Sequence, residues 1–211
     1  MDPLVTAPAD PVAAPAVGPS TDTAPRRAGR RERGTGVREQ ILDAAVALIA
    51  ERGFGATSVD DIASAAGVAK GSVFYNFGSK SALFETVLVE GIERLTTAMR
   101  EAVDGLHGRA AVESLVGALL TRIREHPDFA KVLVAEVFRT GRDWQESIRV
   151  VHDEAIGTFA AVVAEEWPER DATLTGAAMF GAAVVAGLSW LVFQPQRPLD
   201  EVRAAVLDAV H

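Results

Sequence analysis

The sequence contains no cysteine. That excludes a disulfide framework, a thiolate zinc site, a cysteine nucleophile and thiol-based redox sensing within this chain, and it is compatible with a reducing compartment. Histidine is scarce, and His107, His126, His152 and His211 lie far apart with no metal-ligand spacing. There is no G-x-S-x-G, no H-E-x-x-H and no phosphate loop, and Gly34-Thr35-Gly36 opens no dinucleotide fingerprint. No stretch sustains period-two alternation between turn signals, so no sheet is expected. The expectation is a non-enzyme with no metal and no cofactor.

Basic charge is also in deficit. The 21 basic and 29 acidic residues among 211 give a net charge of −8, which taken alone argues against a nucleic-acid partner. The deficit is unevenly spread. Residues 1–25 carry −3, residues 26–80 carry +3 and residues 81–211 carry −8. A short basic module precedes a longer acidic one, so phosphate could approach one end and would be repelled by the other.

Large apolar side chains are nearly missing from residues 1–25, which hold six of the ten prolines. Such a segment cannot offset its ordering entropy by burial, and disorder is expected there. Asp2 and the scattered prolines are unlike a secretory leader. The cluster Arg26–Arg33 that follows reads either as a solvated linker or as a basic arm lying along DNA. Residues 1–35 are thus expected to form a disordered Pro/Ala-rich and Arg-rich arm.

With 48% hydrophobic residues, the rest is rich enough for a core. From Val37 onward its apolar spacing is helical. Ile41, Leu42, Ala45, Val46, Leu48 and Ile49 share one face, and Gly53 stands where a left-handed cap would end the helix. Ser58, ahead of Asp60 and Asp61, suits an N-cap. Gly67 ends this second helix, a third spans about Ala69 to Asn76, and Ser79 caps a long fourth one over Lys80–Val103. Further boundaries fall at Gly105–Gly108, His126-Pro127, Gly141-Arg142-Asp143, Trp167-Pro168 and Gln194–Pro198, with Pro127 and Pro168 suited to first turns. The fold class is all-α, with about nine helices.

Two short helices joined by a turn that begins with Gly have the helix-turn-helix layout. Ile62, Ala63 and Ala66 can face Val68, Val73 and Phe77. The other side of the third helix then presents Ala69, Lys70, Gly71, Ser72, Tyr75 and Asn76. One cation, small residues that permit close approach, and hydrogen-bonding groups suit a major groove.

The run from Gly53-Phe54-Gly55-Ala56-Thr57-Ser58-Val59-Asp60-Asp61-Ile62-Ala63, through Ala66-Gly67-Val68-Ala69-Lys70-Gly71-Ser72-Val73-Phe74-Tyr75-Asn76-Phe77, to Ser79-Lys80-Ser81-Ala82-Leu83-Phe84 closely resembles the DNA-binding domain of TetR-type (tetracycline-repressor-like) transcriptional regulators. The resemblance covers about residues 36–84. It implies a helix-turn-helix domain over 36–82 and a ligand-binding and dimerisation domain over 83–211. It further implies that Thr57 and Ser58 open the second helix beside the DNA backbone, that Ala69, Lys70, Gly71 and Ser72 begin the recognition helix, that Tyr75 and Asn76 reach phosphate or base edges, and that Lys80 binds a phosphate. Phe74 stands where the family usually has Tyr, and Ala69 where Ser or Thr is common, so two hydroxyl contacts are missing. The family also implies a cytoplasmic homodimer that binds a near-palindromic double-stranded DNA operator and is released by a small-molecule effector. A constitutive or activating regulator without an effector is the alternative.

Residues 172–196 form 25 positions without a charge, long enough for a membrane span. Their Ala and Gly content favours a helix buried on all sides in a soluble protein instead. In the resembled family the last two helices build a four-helix bundle with their symmetry mates, and Leu199, Val202, Val206 and Val210 give the final helix a suitable stripe. Leu95, Met99, Leu115, Leu119, Phe129, Leu133, Phe138, Ile148, Ile156, Phe159, Met179 and Phe180 are core candidates or, secondarily, the lining of an effector cavity. His126 and His152 are its possible polar contacts. The cavity residues themselves are left open.

Overall fold

The computed structural model describes residues 28–137 and 145–209. Among them the chain forms nine helices and no strand: α1 (Ala28–Arg52), α2 (Val59–Ala65), α3 (Lys70–Phe77), α4 (Lys80–Val103), α5 (Gly108–Glu125), α6 (Pro127–Val137), α7 (Gln145–Glu166), α8 (Ala172–Phe193) and α9 (Leu199–Ala209). The expected disorder of residues 1–25, the side chains of Arg26–Arg33, Phe138 and Ile148, the Gly141–Asp143 boundary and Val210 lie outside the described residues.

Local chemistry sets the boundaries. Ser58 caps α2 by accepting from Asp61 N, and the Asp61 carboxylate accepts from Ser58 N in return, a complete capping box. Ser79 caps α4 by accepting from Ala82 N at 3.0 Å, and Asp171 caps α8 by accepting from Leu174 N at 2.9 Å. Gly67, at φ +66°, makes the bend between α2 and α3 that an L side chain would resist.

Two boundaries differ from expectation. α1 begins at Ala28, well before Val37, so residues 28–35 of the arm expected to be disordered are helical backbone. Arg, Glu and Ala are good helix formers, and a helix already nucleated over Val37–Arg52 extends at the small penalty of Gly34 and Gly36. Pro168 lies in the turn between α7 and α8, not in a helical first turn, because Asp171 supplies the cap three residues later.

Packing divides into two cores joined by α4. In the head, Ile41, Leu42, Ala45 and Ile49 of α1 meet Ile62 and Ala63 of α2, Val73 of α3, Leu83, Phe84, Val87 and Leu88 of α4, and Val132 of α6. The Phe54 and Phe84 rings lie 5.0 Å apart there. The second half of α4 contributes Leu95 and Met99 to the body core, which α5, α7, α8 and α9 complete. Each fully buried Leu, Ile or Phe contributes about 1.5–3 kcal/mol to folding. α4 therefore cannot tilt without disturbing both cores.

The α7–α8 contact is the closest in the body. A Cβ at Gly176 would lie 2.7 Å from Ala160 N and 3.1 Å from Phe159 C, so the two backbones touch. In the single chain Leu174, Val185, Val192 and Phe193 on the outer face of α8 are exposed, and the inner face, with Met179, Ala183, Gly187 and Trp190, is buried. α8 is long and apolar enough to cross a membrane by length and composition. Its inner face is nonetheless packed on the helices of the body core.

Candidate nucleic-acid interface

The head presents the outer face of α3 and the first residues of α2 and α4. Val73 is buried and anchors α3. The positions around it, Ala69, Lys70, Gly71 and Tyr75, are exposed, while Ser72 and Asn76 are half-buried. Tyr75 stands out at 87% exposure, with an aromatic ring and a hydroxyl in solvent. That is costly for the isolated protein and useful against phosphate or a base edge.

The remaining expected contacts are engaged within the protein. The Lys70 ammonium donates to Asp60 Oδ2 at 2.8 Å across the α2–α3 turn. Asn76 Nδ2 donates to Ser72 O at 2.7 Å, which leaves its Oδ1 and second N–H for other partners. The Ser58 hydroxyl serves the capping box and donates to Asp61 Oδ2 at 2.6 Å. These hydrogen bonds hold the Asp61 carboxyl below its ordinary pKa.

Thr57 and Lys80 both take part in the junction of α1, α2 and α4. Thr57 is 2% exposed, and its hydroxyl points at Gly53 O (3.0 Å) and Leu48 O (3.3 Å). Its side chain ties the start of α2 to the end of α1. The Lys80 ammonium donates to Phe54 O and to Thr57 O, both at 2.8 Å, and lies 4.1 Å above the Phe54 ring. It fixes the α1–α2 loop to α4 and keeps one N–H for a phosphate.

A cavity of about 280 Å³ lies behind the head, walled by α1, α4, α5, α6 and α8. Its apolar surface comes from residues such as Leu42, Val46, Leu119, Phe129, Leu133 and Phe180. Of the residues expected either in the core or in a cavity, Leu95, Leu119, Phe129, Leu133 and Phe180 line it, whereas Met99, Leu115, Phe159 and Met179 are fully buried packing. His126 lines it and His152 does not. Most of its charged groups are already paired: Glu90 with Arg38 and Arg94, Arg122 with Glu125, and Asp128 with Lys131.

Residues 41–87, which contain α2, α3 and their capping residues, match the family of bacterial regulatory proteins, tetR family. The chain carries a TetR-family DNA-binding domain. Over 83 residues it is 43% identical to the HTH-type transcriptional repressor KstR2 of Rhodococcus jostii, covering 39% of this chain and 41% of that repressor. It is 32% identical over 102 residues to the HTH-type regulator YerO of Bacillus subtilis, covering 47% of this chain and 35% of that one. The chain thus matches less than half the length of these curated relatives. The whole fold is shared more widely. The fatty acid degradation regulator FadR of Bacillus halodurans superposes with a TM-score of 0.71 at 22% identity, over 82% of this chain and 96% of that one. The ketosteroid regulator KstR2 of Mycobacterium tuberculosis does so at 0.68 and 24%, over 82% and 92%.

Around this TetR-family domain, Arg38 and Glu90 matter though spacing alone did not single them out, and Asp60 has a role beyond the first turn of α2. Asp60 holds Lys70, Arg38 donates to Glu90 on α4, and the Arg38 guanidinium lies 5.4 Å from the centroid of the Phe77 ring at the end of α3. The bond to Glu90 raises the Arg38 pKa further above its ordinary value. Arg38 and Glu90 are 52 positions apart, and only the packing of α1 on α4 brings them together.

Proposed function

We propose that this chain is a cytoplasmic repressor that binds a near-palindromic DNA operator as a homodimer and releases it when a small molecule enters the cavity. The observation that carries this reading is the exposed face of α3, where Tyr75, Lys70 and Gly71 project from a TetR-family head. Tyr75 and Asn76 contact phosphate or base edges, Ala69, Gly71 and Ser72 allow the helix to approach the groove, and Lys70 and Lys80 meet phosphates. Ser58 and the α2 N-terminus sit beside the DNA backbone through main-chain groups. Thr57 has a positioning role.

The exposed α8 stripe of Leu174, Val185, Val192 and Phe193 supports dimerisation, since a second copy would cover it with the same stripe and with α9. Two recognition helices about 34–36 Å apart would then enter successive major grooves. The effector is small and mainly apolar, because the cavity lining is apolar and its charges are mostly paired. Among the structural neighbours, one FadR structure is a complex with stearoyl-CoA, of which the acyl chain alone is apolar, and KstR2 is described as a ketosteroid regulator.

The test is selection of bound duplexes from a randomised DNA pool by the full chain, followed by anisotropy titration of the selected sequence. An inverted repeat bound with strong salt dependence is expected. Tyr75→Ala should abolish selection of that repeat. Recovery of no enriched sequence would overturn the reading.

A further inference from the structure

The cavity and the recognition helix share no residue, yet one side-chain chain links them. Glu90 forms part of the cavity wall on α4, next to Gly91, where the Phe129 ring of α6 rests against the helix. Its carboxylate is held by the Arg38 guanidinium from α1 and, through the other oxygen, by Arg94 at 3.2 Å. Arg38 faces Phe77 with its guanidinium. Phe77 is the last residue of α3 and packs against the head core. A planar cation that serves a carboxylate and an aromatic ring at once is geometrically demanding, and it cannot follow a displaced carboxylate without leaving the ring.

We propose that Glu90 transmits the state of the cavity to the recognition helix, through Arg38 and its contact with Phe77. This rests on the reading that the cavity holds the effector. In the arrangement described, Arg38 bridges α4 and the end of α3 and holds the head in one orientation. An occupant that pushes Phe129 or α4 moves Glu90, draws Arg38 off Phe77 and frees the C-terminal end of α3. The link is two-state, because the guanidinium either spans both partners or follows one of them. Its strength is limited by the partial exposure of the pair, 37% for Arg38 and 27% for Glu90, so the two states differ by a modest coupling.

A cavity-filling substitution serves as the occupant while the effector is unidentified. Val184 lines the cavity from α8, far along the chain from Glu90 and Arg38. Operator affinity is measured for the full-length wild type, Val184→Phe, Arg38→Gln and the double variant, with thermal melts to verify folding. The expected result is that Val184→Phe weakens operator binding by about fivefold or more, the lower range of allosteric coupling, in the wild type but by less than about twofold in the Arg38→Gln background. Phe77→Leu, which keeps an apolar side chain but removes the ring, should abolish the coupling in the same way and serves if Arg38→Gln does not fold. Equal weakening in all backgrounds would overturn the relay and leave the cavity reading intact. No effect of Val184→Phe in the wild type would overturn the cavity reading, and the relay with it.

Discussion

The Lys70 ammonium and the Asp60 carboxylate meet at 2.8 Å across the α2–α3 turn, on the face proposed to meet DNA. Before any phosphate arrives, the first cation of the recognition helix is therefore occupied. Both groups are more than half exposed, so the pair contributes at most about 1 kcal/mol and exchanges readily.

Neutralising Asp60 should free Lys70 and remove a repulsive charge. Asp60→Asn is expected to raise operator affinity by up to about fivefold, and to steepen the slope of log affinity against log salt by up to about one. Anisotropy titrations over a salt series check both, and an unchanged slope would show that Lys70 stays clear of phosphate.

Tyr75 and Lys80 should separate two kinds of loss. Tyr75 is exposed and supports nothing in the fold, so Tyr75→Ala should lower operator affinity about tenfold or more with an unchanged melting temperature. Lys80→Ala should lower both, since it strips a charged donor from Phe54 O and Thr57 O at a penalty of about 1.5–3 kcal/mol. Parallel melts and titrations distinguish the two.

Gly176 should tolerate no side chain. A Cβ would meet Ala160 N at 2.7 Å, and backbone cannot rotate away as a side chain would. Gly176→Val should destabilise the body by about 1–3 kcal/mol through overpacking, read by denaturant unfolding, whereas Gly71→Ala on open surface should alter stability far less.

A charge on the α8 stripe should split the proposed dimer. Val185 is 64% exposed in the single chain, so Val185→Glu leaves the protomer folded but places a carboxylate at the seam. Light scattering should give twice the 22.3 kDa chain mass for the wild type and the single mass for the variant.

The Ser58–Asp61 capping box gives stability a defined acid dependence. The hydrogen bonds from Ser58 lower the Asp61 pKa below its ordinary value of 3.8, so folding favours the ionised form. The resulting stability is fully present above pH 3.8 and is lost as pH falls from there through the lower folded-state value. Ser58→Ala should remove that part of the acid dependence in melts recorded between neutral and acidic pH.

Most of the architecture was legible because it rests on short-range rules. The caps at Ser58 and Ser79, the bend at Gly67, the span of α4 and the apolar face of α1 are set by residues within a few positions of one another. The α1 start was misplaced because no local stop signal marks it. Pro168 was misplaced because the competing Asp171 cap lies just downstream. Hydropathy marks α8 as a helix to be covered, and a single chain covers only its inner face, because hydropathy reports how apolar a helix is and not how many neighbours one chain can supply.

The sequence by itself determined that this chain is all-α with a helix-turn-helix layout, since those follow from periodicity and caps, and residues 36–84 resemble the TetR-type DNA-binding domain position by position. It also showed that −8 is an average over a basic head and an acidic body. Which head residues remain available was decided by tertiary structure. Thr57 and Lys80 are drawn into the α1–α2–α4 junction, Lys70 is held by Asp60, and Arg38 reaches both Glu90 and Phe77. Those pairings depend on distances between helices far apart in the chain, which no local pattern encodes.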